Sequence, residues 1–255
     1  MASPTVYFVG CGPGDPDLIT IKGKKILEAA DTVVFSGSLI PKEILGMCVN
    51  ATIHDAAGMI REEIFEILLN SSKKGITVRL HDGDPTIYGV IREQMDKLKE
   101  KSINCVIIPG VTSFLASAAA LGIQMTLPGV TQSIIITRAE SRTAVPKKES
   151  IASFAEHGAT MVFYLSIHLL KDIVENVIKG GYKKTTPVGV VYRASWSDEK
   201  VIRGTLEDIV KKVWEQKITR TAIIIIGDVI EPETYEYAKL YDKNFSHGYR
   251  KAEKN

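Results

Sequence analysis

The stretch that most constrains the fold runs from Val78 to Gly89, where a short apolar strand stops abruptly at Asp82-Gly83-Asp84-Pro85. Gly83 permits backbone angles that a side chain disfavours, and Pro85 has no N–H with which to continue a strand. A strand that ends in such a loop places carboxylates and free backbone groups at the carboxyl edge of a sheet, where open α/β folds bind ligands. A plain β-turn is the alternative for an isolated Gly-Asp-Pro tripeptide.

A second glycine-rich loop, Gly10 to Pro16, follows a buried-type first strand. It lacks the GxGxxG spacing of dinucleotide sites, Pro13 removes an N–H, and Asp15 brings a negative charge where a pyrophosphate needs donors. We therefore expect its glycines to let the backbone approach a bulky ligand closely, with a tight βα turn as the alternative. A third loop at a strand end, residues 109–113, carries hydroxyls at the start of a predicted helix. These hydroxyls cap the helix, or alternatively the free N–H groups of the helix start hold a ligand carboxylate.

Apolar periodicity predicts an alternating α/β chain. The predicted strands are 6–9, 31–35, 76–80, 105–108, 134–137, 161–166, 187–192, 201–203 and 222–226, and the predicted helices are 20–30, 62–71, 93–101, 114–121, 149–157, 168–179 and 206–216. Thr20 is a candidate N-cap, and Thr205-x-x-Asp208 has the form of a capping box that opens the last helix. Gly122, Pro128 and Gly129 give a linker composition, which predicts two domains, 1–127 and 128–255.

Composition narrows the function classes. The chain has 255 residues and 45% hydrophobic residues, enough for a sizeable core, and its formal charge of +2 offers no strong footprint for nucleic acid or an acidic membrane. Three isolated cysteines argue against a disulfide framework and fit a reducing compartment. With neither a signal-peptide pattern nor an apolar run of membrane length, we expect a soluble, cytoplasmic protein.

The residues favour neither metal nor covalent catalysis. The five histidines show no ligand spacing, and no local context for a nucleophile stands out. Arg138, Arg142 and Arg193 lie in polar or strand-end segments. Surface arginine is the ordinary interpretation, and recognition of a carboxylate-rich ligand is the alternative, because guanidinium groups match carboxylates bidentately.

Several segments together resemble the tetrapyrrole methylases. Val9 to Thr20 is similar to the first signature of that family and Val78 to Gly89 to the second; three further segments follow in the family's order, Pro109-Gly110-Val111-Thr112-Ser113, Phe163-Tyr164-Leu165-Ser166 and Thr186-Pro187-Val188. The resemblance covers nearly the whole chain. Within the family, Thr137 to Thr143 and the tail Leu240 to Arg250 resemble the precorrin-4 C11-methyltransferases of corrin (vitamin B12) biosynthesis, although Cys11 and Ser141 stand where Ala and Gly are often expected.

The resemblance implies two α/β domains of the class III, non-Rossmann type, with S-adenosylmethionine (SAM) in the cleft between them, and a homodimer. It also implies transfer of the sulfonium methyl to carbon C11 of a tetrapyrrole, with Asp84 near the charged end of the cofactor or in a structural role in its loop. Arg138, Arg142 and Arg193 are expected to pair with acetate and propionate arms of the substrate. The implied cofactor contacts are Pro13, Asp82, Gly83, Asp84, Ile87, Thr112 and Ser113 from the first domain, and Leu165, Ala194 and Ala222 from the second.

Four alternatives are kept. The nearest is another tetrapyrrole specificity, namely methylation of uroporphyrinogen III, precorrin-2 or precorrin-3. A ribosomal-RNA methylase of the same superfamily is a second, and the near-neutral charge opposes it. An NAD-dependent oxidoreductase and a non-catalytic binding protein come from other classes. Ligand-dependent melting distinguishes the oxidoreductase from a methylase.

Overall fold

The computed structural model describes residues 3–252; within this range, it describes Ser38 by its backbone alone. The chain divides into two compact units. The first contains the chain up to Ser117 together with Arg193–Glu199, and the second contains Ala118–Tyr192 and the chain from Lys200 onwards. Each unit is built on one five-stranded sheet with accompanying helices. The expectation of two α/β domains is therefore confirmed.

The sheet of the first unit is entirely parallel and has the strand order β3-β2-β4-β1-β5. Its elements are β1 (Thr5–Gly10), α1 (Ile21–Glu28), β2 (Thr32–Phe35), α2 (Lys42–Gly46), β3 (Thr52–Asp55), α3 (Arg61–Ser72), β4 (Thr77–His81), α4 (Ile91–Glu100) and β5 (Asn104–Ile108). Helix α5 (Ser113–Ala120) follows, and the division between the units falls within it.

Strands β1 and β4 lie in the middle of this sheet and are covered on both faces. Val6 and Phe8 belong to one apolar cluster, while Val9 and Leu80 belong to another. All five residues of β4 are buried, which is the pattern of a parallel strand packed on two sides. The Thr20 hydroxyl accepts a hydrogen bond from the Gly23 N–H at the start of α1, as the N-cap prediction required.

The sheet of the second unit is mixed, with the order β6-β7-β10-β8-β9. Strand β7 is parallel to β6, whereas β10 is antiparallel to β7 and β8, and β9 is antiparallel to β8. The elements are β6 (Ile134–Arg138), α6 (Ile151–Ala155), β7 (Thr160–Tyr164), α7 (Leu170–Lys179), β8 (Pro187–Tyr192), β9 (Lys200–Thr205), α8 (Ile209–Glu215) and β10 (Ala222–Ile226). Met161, Phe163, Val188 and Ile224 contribute to one buried cluster against helices α7 and α8.

The structure corrects the predicted start of the last helix. Helix α8 begins at Ile209 rather than at 206, because the Leu206 and Glu207 N–H groups are bonded to carbonyl oxygens of the preceding turn 183–186. The Asp208 carboxylate accepts from the Thr205 N–H at 2.8 Å, but the Asp208 N–H donates to the Thr205 carbonyl at 3.2 Å and not to the Thr205 hydroxyl, so only half of the predicted capping box forms. Sequence periodicity also missed β3 and α2, and it gave β9 too short.

The contact division lies earlier than the predicted boundary after residue 127. Residues that follow Ser117 are bonded within the second unit: the Thr160 hydroxyl donates to the Met125 carbonyl at 2.8 Å, and Arg203 donates to the Leu121 carbonyl. The Leu121 side chain also fills the space beside Gly189 in β8. The stretch with linker composition is therefore part of a folded unit.

Candidate functional site

Three loops that follow strand carboxyl ends lie together in the first unit. Strand β1 lies between β4 and β5, and all three are parallel, so their carboxyl ends share one edge. The Gly83 N–H donates to the Gly12 carbonyl at 2.8 Å, and the Gly12 N–H donates to the Gly83 carbonyl at 3.3 Å. The Gly110 N–H donates to the Asp84 carboxylate at 2.9 Å. The loops at 10–16, 82–89 and 109–113 are thus one hydrogen-bonded junction.

Glycines make this junction possible because backbone occupies the space where side chains would lie. A Cβ on Gly110 would lie 2.1 Å from the Gly83 carbonyl oxygen, and a Cβ on Gly10 would lie 2.5 Å from the same atom. Gly83 itself has a φ of +57°, which favours glycine. The sequence analysis expected the glycines of the 10–16 loop to let the backbone approach a bulky ligand. At Gly10, however, the space beside the glycine is filled by the backbone of Gly83 and Gly110.

The Asp84 carboxylate braces the junction. One oxygen accepts from the N–H and the hydroxyl of Thr86, and the other accepts from the Gly110 N–H. Partial burial by itself raises the pKa of Asp84, but these hydrogen bonds, led by the Thr86 hydroxyl, outweigh it and hold the pKa below its ordinary value. Asp84 is therefore ionised at neutral pH, and both oxygens are engaged within the loops.

Asp82, two residues away, has a different environment. Its side chain is exposed to solvent, but the packed loops beside it remove part of its hydration, and this desolvation raises the pKa of Asp82. Its own backbone N–H and the Arg79 guanidinium oppose the rise. Within residues 3–252, no hydrogen bond joins its carboxylate to another residue. Asp82 thus supplies a carboxylate at the junction that remains available to a ligand.

Arg79, which the sequence analysis did not single out, lies buried on β4. Its guanidinium donates to four neutral acceptors: Gln94 Oε1 at 3.3 Å, the Val34 carbonyl at 3.2 Å, the Leu80 carbonyl at 3.2 Å and Ser36 Oγ at 2.8 Å. Burial lowers the pKa of Arg79 to about 10, against a smaller opposing effect of Asp82. The sequence feature that could have revealed this buried arginine is a charged residue, Arg79, inside an otherwise apolar predicted strand.

His81 ends the same strand as a neutral, buried ring. It stacks on Phe8 with ring centroids 6.1 Å apart, and its Nε2 has no hydrogen-bond partner among the described residues. Burial, together with the nearby charge of Arg79, lowers the pKa of His81 to about 3, although Asp84 opposes the shift. His81 is therefore uncharged at neutral pH and is not an acid–base group there.

The other expected contacts of the first domain follow the same loops. Ile87 is half-buried in the loop after β4, and its N–H donates to the Asp84 carbonyl at 3.3 Å. Thr112 is buried just before α5, and the Ser113 carbonyl accepts from the Ser117 hydroxyl at 2.7 Å. Pro13 lies in the glycine loop. The structure gathers all seven expected residues of the first domain at one sheet edge.

The segment Arg193–Glu199, between β8 and β9, belongs to the first unit. The Asp15 N–H donates to the Ser195 hydroxyl at 2.9 Å, and the Trp196 indole N–H donates to the Pro13 carbonyl at 2.8 Å. The resemblance had implied that Ala194 contributes from the second domain. The structure places Ala194 and Arg193 with the first unit because these bonds hold their segment against the glycine loop.

The remaining expected residues share one edge of the second sheet. Arg138 is paired with Tyr164 at the carboxyl ends of β6 and β7. Strand β10 begins at Ala222, opposite Tyr192 of β8, and Leu165 directly follows the end of β7, the other neighbour of β10. Leu165 is 66% exposed and has a φ of +53°, a conformation that costs free energy for a leucine.

The three arginines expected to bind carboxylates differ in what they contact. The Arg138 guanidinium donates to the carbonyls of Ala139, Thr143 and Ala144, so it shapes its own loop. Arg193 Nε lies 2.8 Å from an oxygen of Asp198, and the guanidinium stacks on Trp196. Arg142 is exposed and makes no hydrogen bond or ion pair with the residues between 3 and 252. Of the three, it is therefore the arginine whose guanidinium has no contact of its own in the described range.

Among residues 3–252, no group of three or more His, Cys, Asp or Glu side chains is arranged to hold a metal ion. In the same described range, none of the helices combines the length and the apolar character that a membrane span needs.

The chain has two α/β units, and three loops of the first unit meet in a glycine-braced junction. This is the architecture of a class III, non-Rossmann methyltransferase, and comparison with known proteins identifies the family. Residues 5–210 match the model of the Tetrapyrrole (Corrin/Porphyrin) Methylases. The match covers well over half of the chain, so this protein belongs to that family.

One curated relative and two solved structures illustrate the similarity. The chain is 49% identical over 251 residues to the cobalt-precorrin-4 C(11)-methyltransferase of Methanocaldococcus jannaschii, which covers 98% of this chain and 97% of the relative. The X-ray structure of a cobalamin biosynthetic enzyme, cobalt precorrin-4 methyltransferase, is 39% identical, with a TM-score of 0.85 over 89% of this chain and 96% of that one. Uroporphyrin-III C-methyl transferase from Thermus thermophilus, complexed with S-adenosyl homocysteine, is 28% identical, with a TM-score of 0.75 over 89% and 98% of the two chains.

Proposed function

We propose that this protein is a SAM-dependent methyltransferase that methylates C11 of precorrin-4 or cobalt-precorrin-4 in cobalamin biosynthesis. The products are the corresponding precorrin-5 and S-adenosylhomocysteine. The observation that carries the proposal is the 49% identity to the M. jannaschii cobalt-precorrin-4 C(11)-methyltransferase over nearly the full length of both chains. The sequence signatures in the Thr137–Thr143 loop and in the tail support the same specificity.

The junction of the first unit fits a compact, positively charged nucleoside. It offers the exposed Asp82 carboxylate and the backbone of the glycine loops. We propose that SAM contacts the residues implied by the resemblance with the exception of Asp84, namely Pro13, Asp82, Gly83, Ile87, Thr112, Ser113, Leu165, Ala194 and Ala222. In this proposal Asp82 faces the charged end of the cofactor, and Asp84 acts by holding the loops because its oxygens are already engaged.

When bound, SAM supplies a methyl group that its sulfonium already activates. The protein then has to align that methyl with C11 of the macrocycle and exclude water. Alignment alone can lower a barrier by roughly 7–11 kcal/mol. The braced glycine junction is suited to this role, because backbone groups fixed by hydrogen bonds hold a ligand with little reorganisation.

For the substrate, we propose that Arg142 pairs with carboxylate arms of the tetrapyrrole, since it is exposed and uncommitted. Arg138 and Arg193 then support the substrate site by shaping their loops. Arg142→Ala is expected to raise the KM for the tetrapyrrole and to leave the Kd of S-adenosylhomocysteine unchanged. An unchanged KM would contradict the assignment.

We also propose that the protein works as a homodimer in the cytosol. The homodimer rests on the family resemblance, and the location rests on the three free cysteines. Light scattering of the purified protein tests the dimer.

The test of function is a melt followed by an assay. S-adenosylhomocysteine at 100 times its Kd adds about 2.7 kcal/mol of stability, which raises Tm by roughly 5 to 11 °C, whereas NADH is expected to have no effect. Methyl transfer is then measured on cobalt-precorrin-4, precorrin-4 and uroporphyrinogen III. Because the two precorrin-4 enzymes described above are both named for the cobalt form, we expect that form to give the highest kcat/KM. Stabilisation by NADH alone, or faster methylation of uroporphyrinogen III, would contradict the proposal.

A further inference from the structure

The segment Arg193–Glu199, here called the tryptophan clasp, is tied to the glycine loop by two long-range hydrogen bonds. The indole N–H of Trp196 donates to the Pro13 carbonyl at 2.8 Å, and the Asp15 N–H donates to the Ser195 hydroxyl at 2.9 Å. These partners are 183 and 180 residues apart in the sequence. The clasp therefore consumes one acceptor and one donor of the loop and fixes the orientation of the backbone groups that remain.

The contact between clasp and loop is also steric. A Cβ on Gly14 would lie 2.1 Å from Cδ1 of the Trp196 indole, so the ring occupies the place that a side chain would take. Gly14 is buried, and Trp196 is half-buried. Because indole and loop backbone touch without a gap, a change of the ring moves the loop.

The clasp is held rigidly on its own side as well. The Arg193 guanidinium lies 3.9 Å from the centre of the Trp196 ring, and Arg193 Nε lies 2.8 Å from Asp198 Oδ1. Arg193 and Ser195 have φ values of +48° and +68°, which are unfavourable for residues with side chains. The Ser195 N–H donates to the Glu199 carboxylate at 2.6 Å. Several independent contacts thus keep the backbone in an unfavourable conformation, as is found where a segment must be placed accurately.

We propose that Trp196 and Ser195 are positioning residues for the methyl donor, acting through the glycine loop. The clasp fixes Pro13, and the same segment presents Ala194, so two residues assigned to the cofactor are placed by one set of contacts. The inference rests on the proposed function. It assigns to Trp196 a role in donor affinity, beyond a role in stability.

The test compares the only two tryptophans of the chain. Trp196→Phe keeps a ring over Arg193 but removes the indole donor. Ser195→Gly removes the hydroxyl acceptor while favouring the left-handed backbone. Trp214→Phe is the matched control, because Trp214 is 66% exposed on helix α8 of the second unit. Calorimetry with S-adenosylhomocysteine, at a temperature where every variant is folded, gives the Kd of each.

We expect Trp196→Phe and Ser195→Gly each to raise the Kd of S-adenosylhomocysteine roughly three- to tenfold, because binding must then order a loop that one hydrogen bond of the wild-type protein already holds in place. We expect Trp214→Phe to leave the Kd unchanged. In steady-state assays, the KM for SAM should rise while the KM for the tetrapyrrole does not. A lower Tm with an unchanged Kd in both clasp variants would show a purely structural role and overturn the inference. Absence of S-adenosylhomocysteine binding by the wild-type protein would overturn the proposed function and this inference together.

Discussion

The substitution Asp84→Asn tests the brace at the centre of the loop junction. Asp84 uses both carboxylate oxygens: one accepts from the Thr86 N–H and hydroxyl, and the other from the Gly110 N–H. Asparagine has the same shape but only one acceptor oxygen. Whichever way the amide is turned, one of the two backbone N–H groups then faces an NH2 group instead of an acceptor.

The cost follows from that count. A hydrogen bond to a charged group contributes about 1.5–3 kcal/mol, and a donor left unsatisfied costs about 1–3 kcal/mol. Asp84 is partly exposed, and water compensates for part of the loss. We therefore expect Asp84→Asn to reduce the free energy of unfolding by about 2 kcal/mol, which lowers Tm by roughly 4–8 °C.

The pH dependence gives a second, independent signature. The folded-state pKa of Asp84 lies below its ordinary value of 3.8, so its stabilising contribution is complete above that value and is lost as the pH falls through the folded-state pKa. The cost of Asp84→Asn should therefore be largest at neutral pH and shrink below about pH 4. Asp82→Asn is the control, because it is expected to change the free energy of unfolding in the opposite direction. The pKa of Asp82 is raised, so its ionised form disfavours the folded state at neutral pH and its removal should stabilise the protein there.

The assay is urea unfolding followed by Trp196 fluorescence in a Trp214→Phe background, which reports on the first unit, at several pH values from 3.5 to 8 (about one unit apart). If Asp84→Asn has no effect at neutral pH, or if Asp82→Asn destabilises as much as Asp84→Asn does, the assignment of one carboxylate to the brace and the other to the ligand is refuted.

Two further predictions follow from backbone contact and from burial. Gly110→Ala places a Cβ 2.1 Å from the Gly83 carbonyl and should raise the Kd of S-adenosylhomocysteine at least tenfold, whereas Gly58→Ala, with open space around its Cβ, should not; equal Kd values in calorimetry would contradict this. Iodoacetamide at pH 8 should modify half-buried Cys105 first, because burial raises the pKa of the buried Cys11 thiol to about 12; mass spectrometry that finds Cys11 labelled first would refute the reasoning.

Local sequence predicted most elements because their signals are local. Apolar runs gave the buried strands β1, β4 and β10, and Thr20 capped α1 as expected. Strand β3 was missed because its sequence, Thr52-Ile53-His54-Asp55, has no apolar pattern, and it forms by pairing with β2 at the sheet edge. Helix α8 starts late because the 183–186 turn binds the preceding N–H groups, a contact that the Thr205-x-x-Asp208 pattern cannot reveal.

By itself, the sequence determined that this chain alternates strands and helices, that glycine-rich loops follow three early strands, and which family it resembles. These properties depend on residue types at fixed spacing, which can be read from the sequence without the tertiary structure. The tertiary structure decided which loops meet. It placed Trp196 against Pro13 across 183 residues, gave Asp82 and Asp84 opposite environments, and engaged Arg138 and Arg193 in contacts of their own. The reason is physical: burial, hydrogen-bond partners and pKa values are set by neighbours in space, and those neighbours exist only once the sheets have formed.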